Sequence, residues 1–371
     1  MNICKYLHHN FVLILLILFL IYLVVSSKSI TEKFNNNYTY STDGELNNIF
    51  IDVLKTLNIT KVDKDGNFFI PSDYNPCEQM SESLAKSKSK YIYLMDGCDI
   101  IGSKMDLWSS LKDTYQKEAT NIMPKSYLYE YKEDMDELKL NFDNGLYKNK
   151  MFILKNYEQR QEGLKIVKTL DEINDPENQK KYYLIQEYLY DPFIISKRKI
   201  NIRVYYLIIC RNNKIEGYIY NDGFMYYTPK FYDPNDADFD KHITTGYIDR
   251  KVYEENPLTI QDFKKYLADN YDFGYVNKFN KNVQDIMYKV TKSLSTKVCK
   301  KNYNDKVRFQ VYGVDIAPSS DLSVKLMEIN KGPDLGSKDE RDGKVKYNMQ
   351  LDIFKVLEPE FGSTNGFSRV Y

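Results

Sequence analysis

Two strand-like runs on either side of Asn212-Asn213 restrict this chain to folds that contain a long antiparallel ribbon. Arg203–Cys210 reads RVYYLIIC and Lys214–Tyr220 reads KIEGYIY, both rich in β-branched and aromatic residues. The two asparagines between them suit a tight hairpin turn. The wider segment, Tyr182–Gly223, opens with a run ending at Gln186, continues as an extended linker and then gathers cations. Lys199 and Arg203 bracket Ile200-Asn201-Ile202, so a phosphate-sized anion can be gripped where the strand begins. Alternation puts Arg203 on the face of Tyr205, Leu207 and Ile209. A charge buried on that face needs an anionic partner. Lys197 and Arg198 read as solvated surface.

A second hairpin is expected from Phe309–Ala317 and Ser323–Asn330. If its turn is centred on Asp321-Leu322, Asp315 lies opposite Glu328, and directly paired residues share a face. Simple alternation places Glu328 and Asn330 on one face with Val324 and Leu326. Two carboxylates and an amide oxygen then converge, an arrangement that is costly unless a cation sits between them. Hard oxygen ligands of this kind suit Mg²⁺. Spacing alone leaves the other possibility open, an exposed strand carrying scattered acids. Lys155 ends an apolar run, Met151–Lys155, and adds a third cation. Gln186-Glu187-Tyr188-Leu189 follows a strand and precedes Asp191-Pro192. Extended backbone there can meet an adenine edge, with Gln186 adding side-chain specificity, although every strand end has free backbone groups.

Composition removes several function classes. The chain has 371 residues, 43% of them apolar, enough for a sizeable core and two or three domains. Lys+Arg equals Asp+Glu at 52 each, which argues against nucleic acid as the partner. Cys4, Cys77, Cys98, Cys210 and Cys299 show no CxxC spacing, so neither a zinc site nor a dense disulfide framework is expected. Of three histidines only His242 lies within the body of the chain, and it reads as structural rather than as a base.

Coarse periodicity gives an α+β pattern with antiparallel hairpins and no internal repeat. Strands are expected at Tyr91–Met95 and Tyr182–Gln186. Helices are expected at Lys104–Tyr115, Ile260–Tyr266, Val283–Cys299 and Tyr347–Leu357. Phe11–Val25 is uninterruptedly apolar. It is read as a single-pass membrane anchor within residues 11–27 with the remainder cytosolic, the rival being a cleaved signal peptide and a secreted or lumenal protein. The expected division is an anchor or signal segment at 1–27, a polar tether at 28–44, a small α/β subdomain at 45–120, a central subdomain at 121–190 and a C-terminal subdomain at 191–371.

Eight motifs occur in one order: MPKSYL, MFILK, LIQEYLYDPFII, KRKINIRVYYLI, IYNDGFMYY, HITT, YGVDI and LMEINKGPDL. Together they resemble the tubulin tyrosine ligase-like family of the ATP-grasp superfamily, from about Met123 to Leu335. The resemblance implies an ATP-grasp fold of antiparallel sheets, with ATP held between the central and C-terminal subdomains. It implies Lys155 at nucleotide phosphate, Gln186 and the backbone of Glu187 and Leu189 at adenine, and Lys199 and Arg203 as the basic pair. It also implies Thr244 as a catalytic threonine, and Asp315, Glu328 and Asn330 as Mg²⁺ ligands. The implied reaction is ATP-dependent amide formation between an amino acid (Glu, Gly or Tyr) and a protein carboxylate, with tubulin as acceptor. The alternatives are an impaired ATP-grasp binding protein at a membrane, or a ligase acting on another substrate. The chain departs from the family pattern at Asn156 (proline), Lys165 (glycine), Asn201 (aspartate) and Thr245 (asparagine). Asn221 stands where the tyrosine-adding member has arginine.

Overall fold

A computed structural model describes residues 37–72, 88–157, 163–244, 248–301, 303, 305–364 and 366–371. Four short strands come first: β1 (Thr39–Ser41), β2 (Thr60–Lys61), β3 (Phe68–Phe69) and β4 (Tyr91–Ile92). The next four are β5 (Ser126–Leu128), β6 (Phe152–Lys155), β7 (Leu164–Val167) and β8 (Leu184–Glu187). They form their own four-stranded antiparallel sheet in the order β5-β8-β6-β7. Then come β9 (Ile194–Ile195), β10 (Arg198–Arg211), β11 (Lys214–Tyr227), β12 (Val307–Pro318), β13 (Val324–Asn330) and β14 (Phe367–Arg369). These join the first four strands in a ten-stranded sheet whose central path is β14-β11-β10-β12-β4-β3-β1-β2. The mixed α+β, largely antiparallel architecture is the one expected. The first four strands are different: they pair parallel, and β4 lies parallel to β12.

The two hairpins form where the sequence puts them. Asn212 and Asn213 take φ of 49° and 58°, the left-handed pair of a tight β10–β11 turn. Both strands run longer than the expected segments, because the alternation continues through Arg198 and to Tyr227. Lys104–Tyr115 is a helix as expected, with Ser103 accepting from the Asp106 N–H as its cap. The long helix is Phe273–Leu294 rather than Val283–Cys299, because the Asp272 side chain caps it ten residues earlier. Lys132–Asp143, a helix that the sequence reading did not find, backs the four-stranded sheet. A disulfide joins Cys210, at the end of β10, to Cys299 beyond the long helix.

Each face of the ten-stranded sheet carries a core. Ile200, Ile202, Val204, Tyr206 and Ile208 pack with helices Ile260–Asn270 and Phe273–Leu294. Tyr205, Leu207 and Ile209 pack on the other face with helix Glu340–Leu357. The four-stranded sheet is likewise covered on one side, where Phe152, Leu154 and Ile185 lie. Its opposite side bears Met151 and Ile153, which meet Tyr188 and Ile243 in a small apolar cluster.

One expectation about faces is corrected. Asp315 pairs with Glu328, as anticipated, but Ile316 pairs with Leu326, so β13 carries one extra residue, Met327. A bulge of this kind reverses alternation beyond it. Val324, Leu326 and Ile329 therefore all lie in the same core, whereas Glu328 and Asn330 join Asp315 on the other face.

The membrane assignment is also corrected. Among the described residues no helix is long and apolar enough to cross a membrane. The N-terminal hydrophobic helix on which that assignment rested, in residues 11–27, lies outside the described residues.

The bulge makes a quantitative distinction. Leu326→Ala and Ile329→Ala are each expected to cost about 2–5 kcal/mol, because both leave cavities in one core. Met327→Ala is expected to cost about 1 kcal/mol or less. Urea unfolding of the three variants checks this, since a regularly alternating strand would make Leu326 and Ile329 unequal.

Candidate functional site

Lys199, Asn201 and Arg203 lie on one face of β10, and β12 presents Asp315 directly across from Arg203. The guanidinium meets that carboxylate in a two-pronged contact, Nε to Oδ1 at 2.5 Å and Nη2 to Oδ2 at 2.9 Å. Arg203 is partly buried, and Asp315 is its anionic partner. Gly313 makes the geometry possible: a Cβ there would lie 2.8 Å from Arg203 Nη1 and 3.0 Å from its Cδ. On its other side Arg203 sits over the Tyr226 ring, 5.5 Å from the centroid, and Tyr226 is the β11 neighbour of Asn201.

Asn330 links the two acids. Its Nδ2 donates to Glu328 Oε1 at 3.0 Å and to Asp315 Oδ2 at 3.3 Å. Glu328 Oε2 faces Lys104 Nζ at 3.4 Å. Lys104 opens helix Lys104–Tyr115, and the sequence reading missed it. Nothing local marks it as different from other helix-initial lysines, and its partner lies on β13, far along the chain.

The four-stranded sheet contributes Lys155 and Gln186 from the face that bears Ile153. Both side chains are buried, and the Gln186 amide nitrogen donates to Ser126 Oγ at 2.9 Å. The Glu187 carboxylate points to the opposite face, where the Tyr147 hydroxyl donates to it, which leaves only the Glu187 backbone for a ligand. Leu189 is half-buried just beyond β8. Thr244 is buried two residues after helix Phe239–His242. Thr245 lies outside the described residues.

Three of these residues hold buried polar atoms that have no partner among the described residues: Gln186 Oε1, Asn201 Oδ1 and Thr244 Oγ1. Each such atom costs about 1–3 kcal/mol unless a ligand or water satisfies it. Asn201 lies between Lys199 and Arg203 on β10, and Gln186 shares a face of its sheet with Lys155.

Lys199 and His242 are coupled through Tyr188. The Asp236 carbonyl can only accept, so His242 Nε2 carries the proton there. Nδ1 then accepts from the Tyr188 hydroxyl at 2.8 Å, and that hydroxyl accepts from Lys199 Nζ at 3.3 Å. Both imidazole nitrogens are occupied, in keeping with a structural histidine. Lys197 is exposed, as expected. Arg198 is not simply solvated, because its guanidinium donates to the Thr228 and Pro229 carbonyls at 2.7 and 2.5 Å. Asn221 lies in an irregular part of β11, exposed and away from this cluster, with its N–H on the Gly366 carbonyl.

Burial shapes the electrostatics. It pushes Lys155 down to about 8, with Lys104 adding to the effect and Glu328 and Asp315 opposing it. Burial, reinforced by Lys155, pushes Lys199 down to about 7. Asp315 is pushed up by burial against the pull of Arg203. Burial also acts to raise Glu328, but Lys104, Lys155 and the Asn330 amide outweigh it and hold that carboxyl low. Glu328 is thus the firmly ionised member of the pair.

Asp315, Glu328 and Asn330 come together on one face, with Arg203 and Lys104 against them. As a donor set, two carboxylates and one amide fit a hard divalent cation once the Asn330 amide turns its oxygen inward. Among the described residues no group of three or more His, Cys, Asp or Glu side chains forms a metal cluster.

A sequence model described as the tubulin-tyrosine ligase family matches residues 84–365. The chain is 27% identical over 194 residues to a probable tubulin polyglutamylase TTLL9 of Rattus norvegicus, covering 51% of this chain and 41% of that protein. It is 23% identical over 241 residues to tubulin glycylase 3B of Drosophila melanogaster, covering 61% of this chain and 31% of that protein. A probable alpha-tubulin polyglutamylase Ttll1 of Tetrahymena thermophila is 25% identical, covering 49% and 45%. The chain spans less than half the length of these curated relatives.

The two depressed lysines give the site a pH signature. With Lys199 near 7 and Lys155 near 8, much of their charge is absent at pH 8 in the free protein. A bound polyphosphate favours the charged forms, so binding takes up protons and affinity falls as pH rises from about 7 to 9. Calorimetry with ADP at pH 8, in buffers of different ionisation enthalpy, is expected to show proton uptake. Lys199→Met is expected to reduce that uptake.

Proposed function

This chain belongs to the tubulin-tyrosine ligase family, and from that premise we propose that it is an ATP-dependent carboxylate–amine ligase with an ATP-grasp arrangement. The observation that carries this reading is the meeting of Lys155 from one sheet with Lys199, Arg203, Asp315, Glu328 and Asn330 from the other. Three unsatisfied buried polar atoms accompany them. ATP lies between the two sheets in this reading. Its adenine is at Gln186 and the Glu187–Leu189 backbone, and its phosphates are at Lys155 and Lys199.

Asp315, Glu328 and Asn330 would hold Mg²⁺, which when bound neutralises charge on the phosphate oxygens. Arg203 then has two roles. In the free protein it closes the Asp315 carboxylate. With nucleotide present its charge is available to the transferred phosphoryl group. Thr244, whose buried hydroxyl has no partner among the described residues, would supply a hydroxyl in this reading.

The chemistry needs no nucleophilic side chain. A substrate carboxylate attacks the γ-phosphorus, the bond to the ADP oxygen breaks, and an acyl phosphate forms. An amine then attacks the acyl carbon, loses its proton and expels phosphate, leaving an amide. The chain contributes position and fixed positive charge. The names of the relatives, a probable tubulin polyglutamylase and a tubulin glycylase, support glutamate or glycine as the donor amino acid and tubulin as the acceptor in this reading. A second reading, a nucleotide-binding protein without turnover, is favoured by one observation: both oxygens of Asp315 are taken by Arg203.

Mass spectrometry of tubulin incubated with the chain, ATP and mixed amino acids is expected to show an added glutamate or glycine. Glu328→Gln is expected to lower kcat by about 100-fold or more. Equal ADP release from wild type and variant would overturn the catalytic role of Glu328, and binding of ATP with no ADP release from either would leave the second reading.

A further inference from the structure

Gln186 is buried on β8 directly across from Ser126 on β5, and the Ser126 side chain is itself buried. The hydrogen-bond logic around this pair has one solution. Ser126 Oγ lies 2.9 Å from the carbonyl oxygen of Pro124, which can only accept. The serine proton is committed there, so Ser126 can only accept from Gln186. The Gln186 amide must therefore present its NH₂ to Ser126, as it does at 2.9 Å. Its oxygen is forced the other way, where it is buried and has no partner among the described residues. Reversing the amide would deprive the Pro124 carbonyl of its donor or set two acceptors against each other.

We infer that Ser126 is a positioning residue that makes this site select adenine over guanine, by locking Gln186 with its acceptor oxygen towards the base. The inference rests on the nucleotide reading above. A purine that satisfies the orphaned oxygen must bring a donor. The 6-amino group of adenine is a donor, whereas the 6-oxo group of guanine would set one acceptor against another. The surroundings suit a flat base. Ile153 pairs with Gln186 on the same face and belongs to the apolar cluster with Met151, Tyr188 and Ile243. Ser126 contacts the amide and not the nucleotide, so its effect is on selectivity.

The test is calorimetric binding to the full chain of ATP, GTP and purine riboside triphosphate, the last being ATP without its 6-amino group. Wild type is expected to prefer ATP to purine riboside triphosphate by about 10-fold or more, and to disfavour GTP further. Ser126→Ala frees the amide to turn and is expected to bring the ATP and purine riboside values within about threefold. Ser126→Thr keeps the hydroxyl and is expected to retain the preference. A purely structural role for Ser126 would weaken all three nucleotides equally, and that outcome overturns the inference. Equal wild-type affinity for ATP and purine riboside triphosphate overturns it without any variant. If wild type binds none of the three, the nucleotide reading itself falls with it. If it binds ATP but Ser126→Ala keeps the wild-type ratio, only the role of Ser126 falls.

Discussion

The ion pair of Arg203 with Asp315 is the contact on which the cleft depends. It joins β10 to β12 at the middle of the ten-stranded sheet, where neither charge could remain alone. A largely buried pair of this kind adds little net stability, but losing one partner strands the other charge. The pair therefore fixes register and side-chain direction more than it stabilises. Gly313 is the concession the sheet makes to it, since any side chain there would occupy the space of the guanidinium.

The rest of the site follows from charge balance around that pair. Glu328 brings a second carboxylate within reach of the first, and Lys104 and the Asn330 amide answer it. Lys155 and Lys199 are buried and their charge is depressed, and an incoming anion would restore their protons. The free protein thus holds a site whose ion pairs are already in place and whose positive charge rises around an anionic guest. That is the arrangement expected where catalysis consists of positioning and charge stabilisation.

The strand alternation was legible where it was undisturbed. The face shared by Arg203, Tyr205, Leu207 and Ile209 follows from period two alone, and so does the need of Arg203 for an anion. Asp315 opposite Glu328 was reached from an assumed turn centre, and the observed pairing agrees. The companions of Glu328 were misassigned, because the single extra residue at Met327 shifts the register. No propensity in VKLMEIN announces that bulge. It exists because Leu326 and Ile329 both find space in the core while Glu328 and Asn330 find partners on the other face. Lys104 was invisible for a related reason, since a lysine at a helix start declares nothing until its partner is known.

By itself the sequence determined what short-range physics controls. Asn212-Asn213 supplied the left-handed backbone of the turn, β-branched runs supplied the strands, and ordered motifs carried the family likeness from Met123 to Leu335. Tertiary structure alone decided what depends on residues far apart in the chain. It chose Asp315 as the anion for Arg203, joined β4 in parallel to β12, and turned the Glu187 carboxylate away from the face that holds Gln186. The division has one physical cause. Backbone preference and side-chain alternation are set within a few residues, whereas a buried charge or amide takes its direction from whichever distant group can satisfy it.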